Sequence, residues 1–209
     1  MDVMYNIKFM GQYKNESQIL HGLLPTNATQ FEEPNKTITV FFKGTLIIMP
    51  FIAVVLFAIF AKFKLCNNFM DFQNGKTLPQ SIGTAAVISI LLVLIHQILH
   101  AICFPKKVQK EIWFILKGLS AFVYCNHPIS RRKYIWICIC PNVFLGIIPF
   151  FLWLILSHNF NNFMSQLILF VALFNIFSGI DDYYNIYLTL KQVPKNSIIQ
   201  NYGIHTYWY

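Results

Sequence analysis

Two histidines four residues apart are the strongest chemical signal in this sequence: they stand in the segment His96-Gln-Ile-Leu-His100. On an α-helix, residues at this spacing lie on one face, about one turn apart. Two imidazoles so placed are the arrangement with which many helices bind a single zinc ion. The spacing therefore predicts a zinc site.

The residue after the first histidine is Gln97, and this limits the chemistry. Zinc peptidases with the pattern H-E-x-x-H use a glutamate at that position as the general base. A glutamine amide cannot take up the proton, and general-base help is typically worth about 10²- to 10⁴-fold in rate. The sequence thus offers the ligands of a zinc peptidase with an impaired base, so that only residual hydrolysis is expected.

The composition predicts that the elements around this pair cross a membrane. The 209 residues are 56% hydrophobic and 11% charged, with long runs that contain no charge. Two imidazoles in a lipid-spanning helix are costly unless they pair, bind a ligand or face a wet cavity. One alternative to a metal site is that the histidines only form hydrogen bonds with neighbouring helices.

The expected fold is an all-α membrane protein with about four transmembrane helices, at residues 44–61, 84–104, 134–157 and 163–180. Residues 1–43 form a cytosolic leader, and residues 44–209 form a polytopic membrane domain that ends in a cytosolic tail at 181–209. Between the second and third spans lies a basic segment with two short apolar pieces. These pieces predict a β-hairpin or an element on the membrane surface. Cys125 and His127, in the same segment, are expected at the surface.

The distribution of cations predicts the orientation. Of the 16 Lys and Arg residues, 13 fall in the leader, the basic segment and the tail. The positive-inside rule places these parts, and with them both termini, in the cytoplasm. We expect an integral protein of a bacterial plasma membrane, in which the basic excess meets anionic lipid rather than nucleic acid.

Helix rise indicates where a third ligand could come from. At 1.5 Å per residue, His96 and His100 lie about 18 and 24 Å from the outer end of the second span. Asp181 and Asp182 lie about 27–28 Å along the fourth span, which runs in the same direction. A carboxylate would complete a zinc site of two histidines with one position open to water. If the helix continues, Asn175 shares a face with Asp182.

These residues resemble the putative zincin peptidases of domain-of-unknown-function family 3267, which are similar to site-2 intramembrane metalloproteases. The resemblance covers about residues 84–209. It rests on six parts of the sequence: His96-x-x-x-His100, Pro128-Ile-Ser-Arg-Arg-Lys133, Pro141, the Asn175/Gly179/Asp182 region, Leu190-Lys-Gln-Val-Pro-Lys-Asn-Ser197 and Thr206-Tyr-Trp-Tyr209. It implies zinc held within the membrane by both histidines and an aspartate. The family's Asp-x-x-Asn pattern, counted back from Asn185, favours Asp182, and Asp181 stays the alternative.

Two functions remain open at this point. The first is a zinc-dependent intramembrane peptidase, or its degenerate descendant, that acts on a membrane-embedded peptide, with Asn175 orienting the substrate or a ligand. In it, Gln97 at best positions the water by hydrogen bonding. The second is a non-catalytic membrane scaffold that binds a partner protein and retains the fold.

Overall fold

The computed structural model describes residues 6–19, 22–34, 37–65, 77–115 and 120–209, and most of these residues are helical. The α-helices are α1 (Thr37–Leu65), α2 (Thr77–Cys103), α3 (Arg131–Asn142), α4 (Ile148–Leu156), α5 (Asn162–Ser178) and α6 (Ile180–Gln192). The strands are β1 (Ile7–Gln12), β2 (Thr29–Gln30), β3 (Lys110–Ile115), β4 (Ser120–Tyr124), β5 (Ile129–Ser130), β6 (Ile198–Tyr202) and β7 (His205–Trp208). The polar connector expected around residues 67–76, and the residues Lys117 and Gly118 between the two apolar pieces of the basic segment, lie outside the described residues.

Among the described residues, three stretches of helix are long and apolar enough to cross a membrane: Ile38–Leu65, Thr77–Cys103 and Arg131–Asn159. α5 and α6 together pass the same test and would make a fourth if they form one span, but they are bent by 43° at a short break. In the most apolar windows of α1 and α2, only 17% and 22% of residues are buried. Apolar surface on this scale is what a lipid-facing helix presents. The described part of the chain is therefore consistent with an integral membrane protein.

The long third helix is interrupted rather than straight. Pro141 lies in α3, and the next residues, Val143–Ile147, form a π-helical segment before α4 begins. Proline removes an N–H donor and its ring crowds the preceding turn, so that the regular hydrogen-bond ladder cannot continue unchanged.

The chain divides into two compact units, and the first is helical: it comprises Thr37–Leu92 and Asn142–Tyr184. Its core is a cluster of buried apolar side chains from α1, α4, α5 and the first residue of α6. Trp153 is fully buried at its centre, and its Nε1 donates to Ser165 Oγ at 3.1 Å. Lys62 of α1 donates to the carbonyl of Leu154, which lies in the last turn of α4, where helix carbonyls lack intrahelical partners.

The second unit carries the sheets and comprises Met1–Lys36, Val93–Pro141 and Asn185–Tyr209. One sheet has the strand order β1-β3-β4, with β1 parallel to β3 and β3 antiparallel to β4. The other has the order β2-β7-β6-β5 and is antiparallel throughout. Of the two structures expected for the basic segment, the β-hairpin is confirmed by the pairing of β3 with β4.

The sheets connect the three parts of the chain that the cation count assigns to one side of the membrane. β1 and β2 belong to the leader, β3 to β5 to the basic segment, and β6 and β7 to the tail. Paired strands must lie on the same side of any bilayer that the helices cross. The β5–β6 pairing therefore requires an even number of crossings between residues 131 and 192. If Arg131–Asn159 is one span, the bent pair of α5 and α6 must be another.

Two expectations about side chains and helix continuity are wrong. Cys125 is buried, with 1% of its surface exposed, and burial raises the pKa of its thiol above the ordinary value; His127 is exposed, as expected. The helix does not continue unbroken from Asn175 to Asp182, because Gly179 ends α5 and α6 starts at a 43° bend.

Candidate metal centre

The histidine pair lies near the end of α2, where only 8% of His96 and 9% of His100 are exposed. The Nε2 atoms of the two rings are 3.1 Å apart. Two nitrogens bound to one tetrahedral zinc ion, at 2.0–2.1 Å each, are separated by about 3.3 Å. The spacing suits two ligands of a single ion, and without an ion it is also that of a hydrogen bond between the two rings.

The second nitrogen of His100 fixes its tautomer. Nδ1 lies 2.8 Å from the main-chain carbonyl oxygen of Ile137 in α3. A carbonyl can only accept, so Nδ1 must carry the hydrogen, and the neutral ring then presents a lone pair at Nε2. Metal-binding histidines commonly donate their other N–H to a carbonyl or carboxylate in this way.

The carboxylate in the first turn of α6 is also held in place. Asp182 is half-buried, and its Oδ2 accepts a hydrogen bond of 2.9 Å from Nδ2 of Asn142. Asn142 is fully buried at the end of α3. A Cβ atom at Gly179 would lie 1.8 Å from Oδ1 of Asn142, so that only glycine leaves room for this amide. Asp181, the alternative ligand, is exposed.

One ligand atom from each of His96, His100 and Asp182 can be chosen so that all three lie within 4.8 Å of one another. This is close enough to bind a metal ion. Two imidazoles and one carboxylate suit zinc and leave a fourth position for water. The donor set therefore fits zinc, the metal that the sequence predicts.

Of the two remaining residues singled out in the sequence, one lies on a helix that carries ligands and the other on α5, the helix before α6. Gln97 is half-buried on α2 and follows His96 directly. Asn175 is buried on α5, where its Nδ2 donates to the carbonyl of Val171 at 2.8 Å. Its amide nitrogen thus bonds to its own helix, and any orienting role would fall to Oδ1.

The Pro128–Lys133 motif has a structural explanation. Ser130 Oγ accepts from the backbone N–H of Lys133 at 3.4 Å, as a cap at the start of α3 does. Arg131 donates to the carbonyls of Thr189 and Leu190, each at 3.4 Å, near the end of α6. Cations and donors stabilise a helix at that end. The motif thus joins the start of α3 to the end of α6, the helix that carries Asp182.

Asn142 is the site residue that sequence analysis missed. The sequence does hold a signal for Asn142: an amide in an apolar, membrane-length helix is costly unless it meets a polar partner, so such a residue indicates a polar contact. Its partner could not be found from spacing, since Asn142 and Asp182 are 40 residues apart.

Of three comparisons with known proteins, the one with protein families agrees with this geometry. The other two found no match to the chain among curated proteins or solved structures. The model of domain-of-unknown-function family 3267, described as "Putative zincin peptidase", matches residues 89–198, a range that holds both histidines and Asp182. Since the match covers more than half of the 209 residues, the chain belongs to this family.

Proposed function

We propose that this protein is a zinc-dependent peptidase of the site-2 protease type that acts on a peptide embedded in the membrane. The observation that carries the proposal is the approach of His96, His100 and Asp182 ligand atoms to within 4.8 Å of one another. The family and the membrane-length helices support it. The protein is proposed to lie in a bacterial plasma membrane with both termini in the cytoplasm.

In this proposal, His96 and His100 bind zinc through Nε2, and Asp182 binds it through a carboxylate oxygen. A zinc ion so held supplies a Lewis acid and lowers the pKa of water to about 7. Asn142 keeps the Asp182 carboxylate in place by its hydrogen bond to Oδ2. Asn175, through Oδ1, is proposed to orient the substrate.

Gln97 determines how fast such an enzyme can be. Its amide can donate to or accept from a water molecule and so position it, but it cannot take the proton away. The proposed activity is therefore lower, by about 10²- to 10⁴-fold, than that of a similar site with glutamate. This residue is also the observation that favours the second function, a non-catalytic membrane scaffold that binds a partner protein.

Restoring the base tests the proposal. Purified wild type, Gln97→Glu and the double variant Gln97→Glu/His100→Ala are each incubated with a panel of transmembrane peptides. We expect Gln97→Glu to cleave at least one peptide about 10²- to 10⁴-fold faster than wild type, and His100→Ala to abolish the gain. The added carboxylate could destabilise α2 in a dry environment, so zinc content and folding are measured in all three proteins. A folded, zinc-loaded Gln97→Glu protein that cuts nothing beyond what wild type cuts would favour the scaffold.

A further inference from the structure

Pro141 lies four residues after Ile137 in α3, and its residue type decides whether the helix itself can supply a donor to the Ile137 carbonyl. In a regular α-helix, the N–H of residue 141 would donate to the carbonyl of residue 137. Proline has no N–H, so this bond cannot form. Nδ1 of His100 lies 2.8 Å from that same carbonyl oxygen. The His100 imidazole thus donates to the carbonyl oxygen of Ile137, to which the backbone of Pro141 cannot donate.

The hydrogen bond between His100 and the Ile137 carbonyl lies in a buried part of the protein, where an unpaired polar group is costly. Pro141 is among the fully buried side chains, Ile137 is 5% exposed and His100 is 9% exposed. A buried carbonyl needs a donor, and a buried imidazole N–H needs an acceptor. In a helix, a proline ring also crowds the carbonyl four residues earlier, and helices commonly bend at proline for this reason. Such a bend can open that carbonyl to a side chain from another helix.

We propose that Pro141 is a positioning residue for His100: by withholding an N–H from the Ile137 carbonyl, it holds His100 in the Nδ1–H tautomer with Nε2 directed to the metal. The inference rests on the proposed function, because it assigns a role to the His100 lone pair. It concerns how the ligand is prepared rather than the hydrolysis itself. Outer partners of this kind typically account for about 10- to 100-fold in metal affinity.

The simpler role for Pro141 is to bend the long helix so that it packs. Both roles predict that substitution alters packing, and only the positioning role predicts a change in the His100 tautomer. The test therefore measures the tautomer by ¹⁵N NMR of the imidazole in metal-free protein at about pH 8.5, where ordinary imidazoles are neutral. The His100 signals are identified by their loss in His100→Gln. Affinity for Co²⁺, a spectroscopic substitute for zinc, is measured in parallel.

The variants are Pro141→Ala, which restores the N–H, and the matched control Pro149→Ala, the same change within α4. We expect wild type and Pro149→Ala to show the Nδ1–H tautomer and the same Co²⁺ affinity. We expect Pro141→Ala to populate the Nε2–H tautomer and to bind Co²⁺ about 10- to 100-fold more weakly. If Pro141→Ala does not fold, Pro141→Leu, with a larger apolar side chain and the N–H restored, takes its place.

The Nε2–H tautomer at His100 in wild type would overturn the proposal. An unchanged tautomer and unchanged affinity in the folded Pro141 variant would do the same. Neither measurement uses peptide cleavage. If Gln97→Glu cleaves nothing beyond what wild type cleaves but the tautomer shifts in the Pro141 variant, the proposed peptidase activity fails while the positioning role stands.

Discussion

The amide of Asn142 holds the carboxylate of Asp182: Nδ2 of the first lies 2.9 Å from Oδ2 of the second. The hydrogen bond engages one carboxylate oxygen and limits rotation of the group, so that the other oxygen is directed away from the amide. Hydrogen-bonded carboxylate ligands of this kind are typical of protein metal sites. The orientation of Asp182 thus depends on the space that Asn142 occupies beside Gly179.

Enlarging Gly179 should therefore weaken metal binding. In Gly179→Ala, the new Cβ would lie 1.8 Å from Oδ1 of Asn142, so the amide must move and its bond to Asp182 is lost. We expect zinc affinity to fall by about 10-fold or more. Gly83→Ala in α2 is the matched control, because a Cβ there has nothing within 4 Å. Affinity is measured by competition with a chelator, and equal values in the two variants would contradict the role of Asn142.

The two neighbouring aspartates should differ in their effect on the metal. Asp182→Asn removes the charge from the half-buried carboxylate of the site, whereas Asp181→Asn changes an exposed one. A neutral amide is a poor zinc ligand, so we expect Asp182→Asn to lose most of its bound zinc and Asp181→Asn to keep it. Zinc is counted by mass spectrometry in protein purified identically. The reverse result would assign the ligand to Asp181.

The membrane-length helices and the histidine pair of the metal site could be predicted from the sequence, because long apolar runs and the spacing of two histidines are local signals. The hairpin of β3 and β4 is equally local. The rest depends on contacts between distant parts of the chain. Two-residue strands such as β2 and β5 exist only through pairing with the tail, and no periodicity indicates them. The Asn142 amide lies where a Cβ at Gly179 would be, a contact that no pattern within 162–192 reveals.

Cys125 should react slowly with thiol reagents because it is buried and not, as the sequence predicted, at the surface. Burial raises the pKa of this thiol above its ordinary value of 9.0, and a hydrogen bond from the His127 backbone only partly offsets the rise. Since the thiolate is the reactive form, we expect slow alkylation by iodoacetamide at pH 8. The folded protein retains a proton that the unfolded chain releases, so this thiol lowers the free energy of unfolding as pH rises above about 9.

A protein with Cys125 as its only cysteine provides the measurement. A cysteine-free protein with His127→Cys is the control, because position 127 is exposed two residues away. We expect the control to be alkylated at the rate of an ordinary thiol. Similar rates for the two folded proteins would show that Cys125 is accessible.

The predicted topology places positions 158 and 195 on opposite sides of the membrane. Lys195 follows α6 on the side of the sheets, and His158 lies between α4 and α5; both are exposed. In a cysteine-free background, a membrane-impermeant maleimide applied to intact cells should label His158→Cys and spare Lys195→Cys. In permeabilised cells, the maleimide should label the cysteine in both variants. Labelling of both positions in intact cells, or of Lys195→Cys alone, would contradict the orientation.

The zinc content of the purified protein shows directly whether His96, His100 and Asp182 form a metal site. Wild type, the double variant His96→Ala/His100→Ala and the exposed-histidine control His158→Ala are purified in detergent without added metal and counted by mass spectrometry. We expect about one zinc ion per chain in wild type and in His158→Ala, and almost none in the double variant. If the folded double variant holds as much zinc as wild type, or if folded wild type binds none even when zinc is supplied, His96, His100 and Asp182 do not form a zinc site.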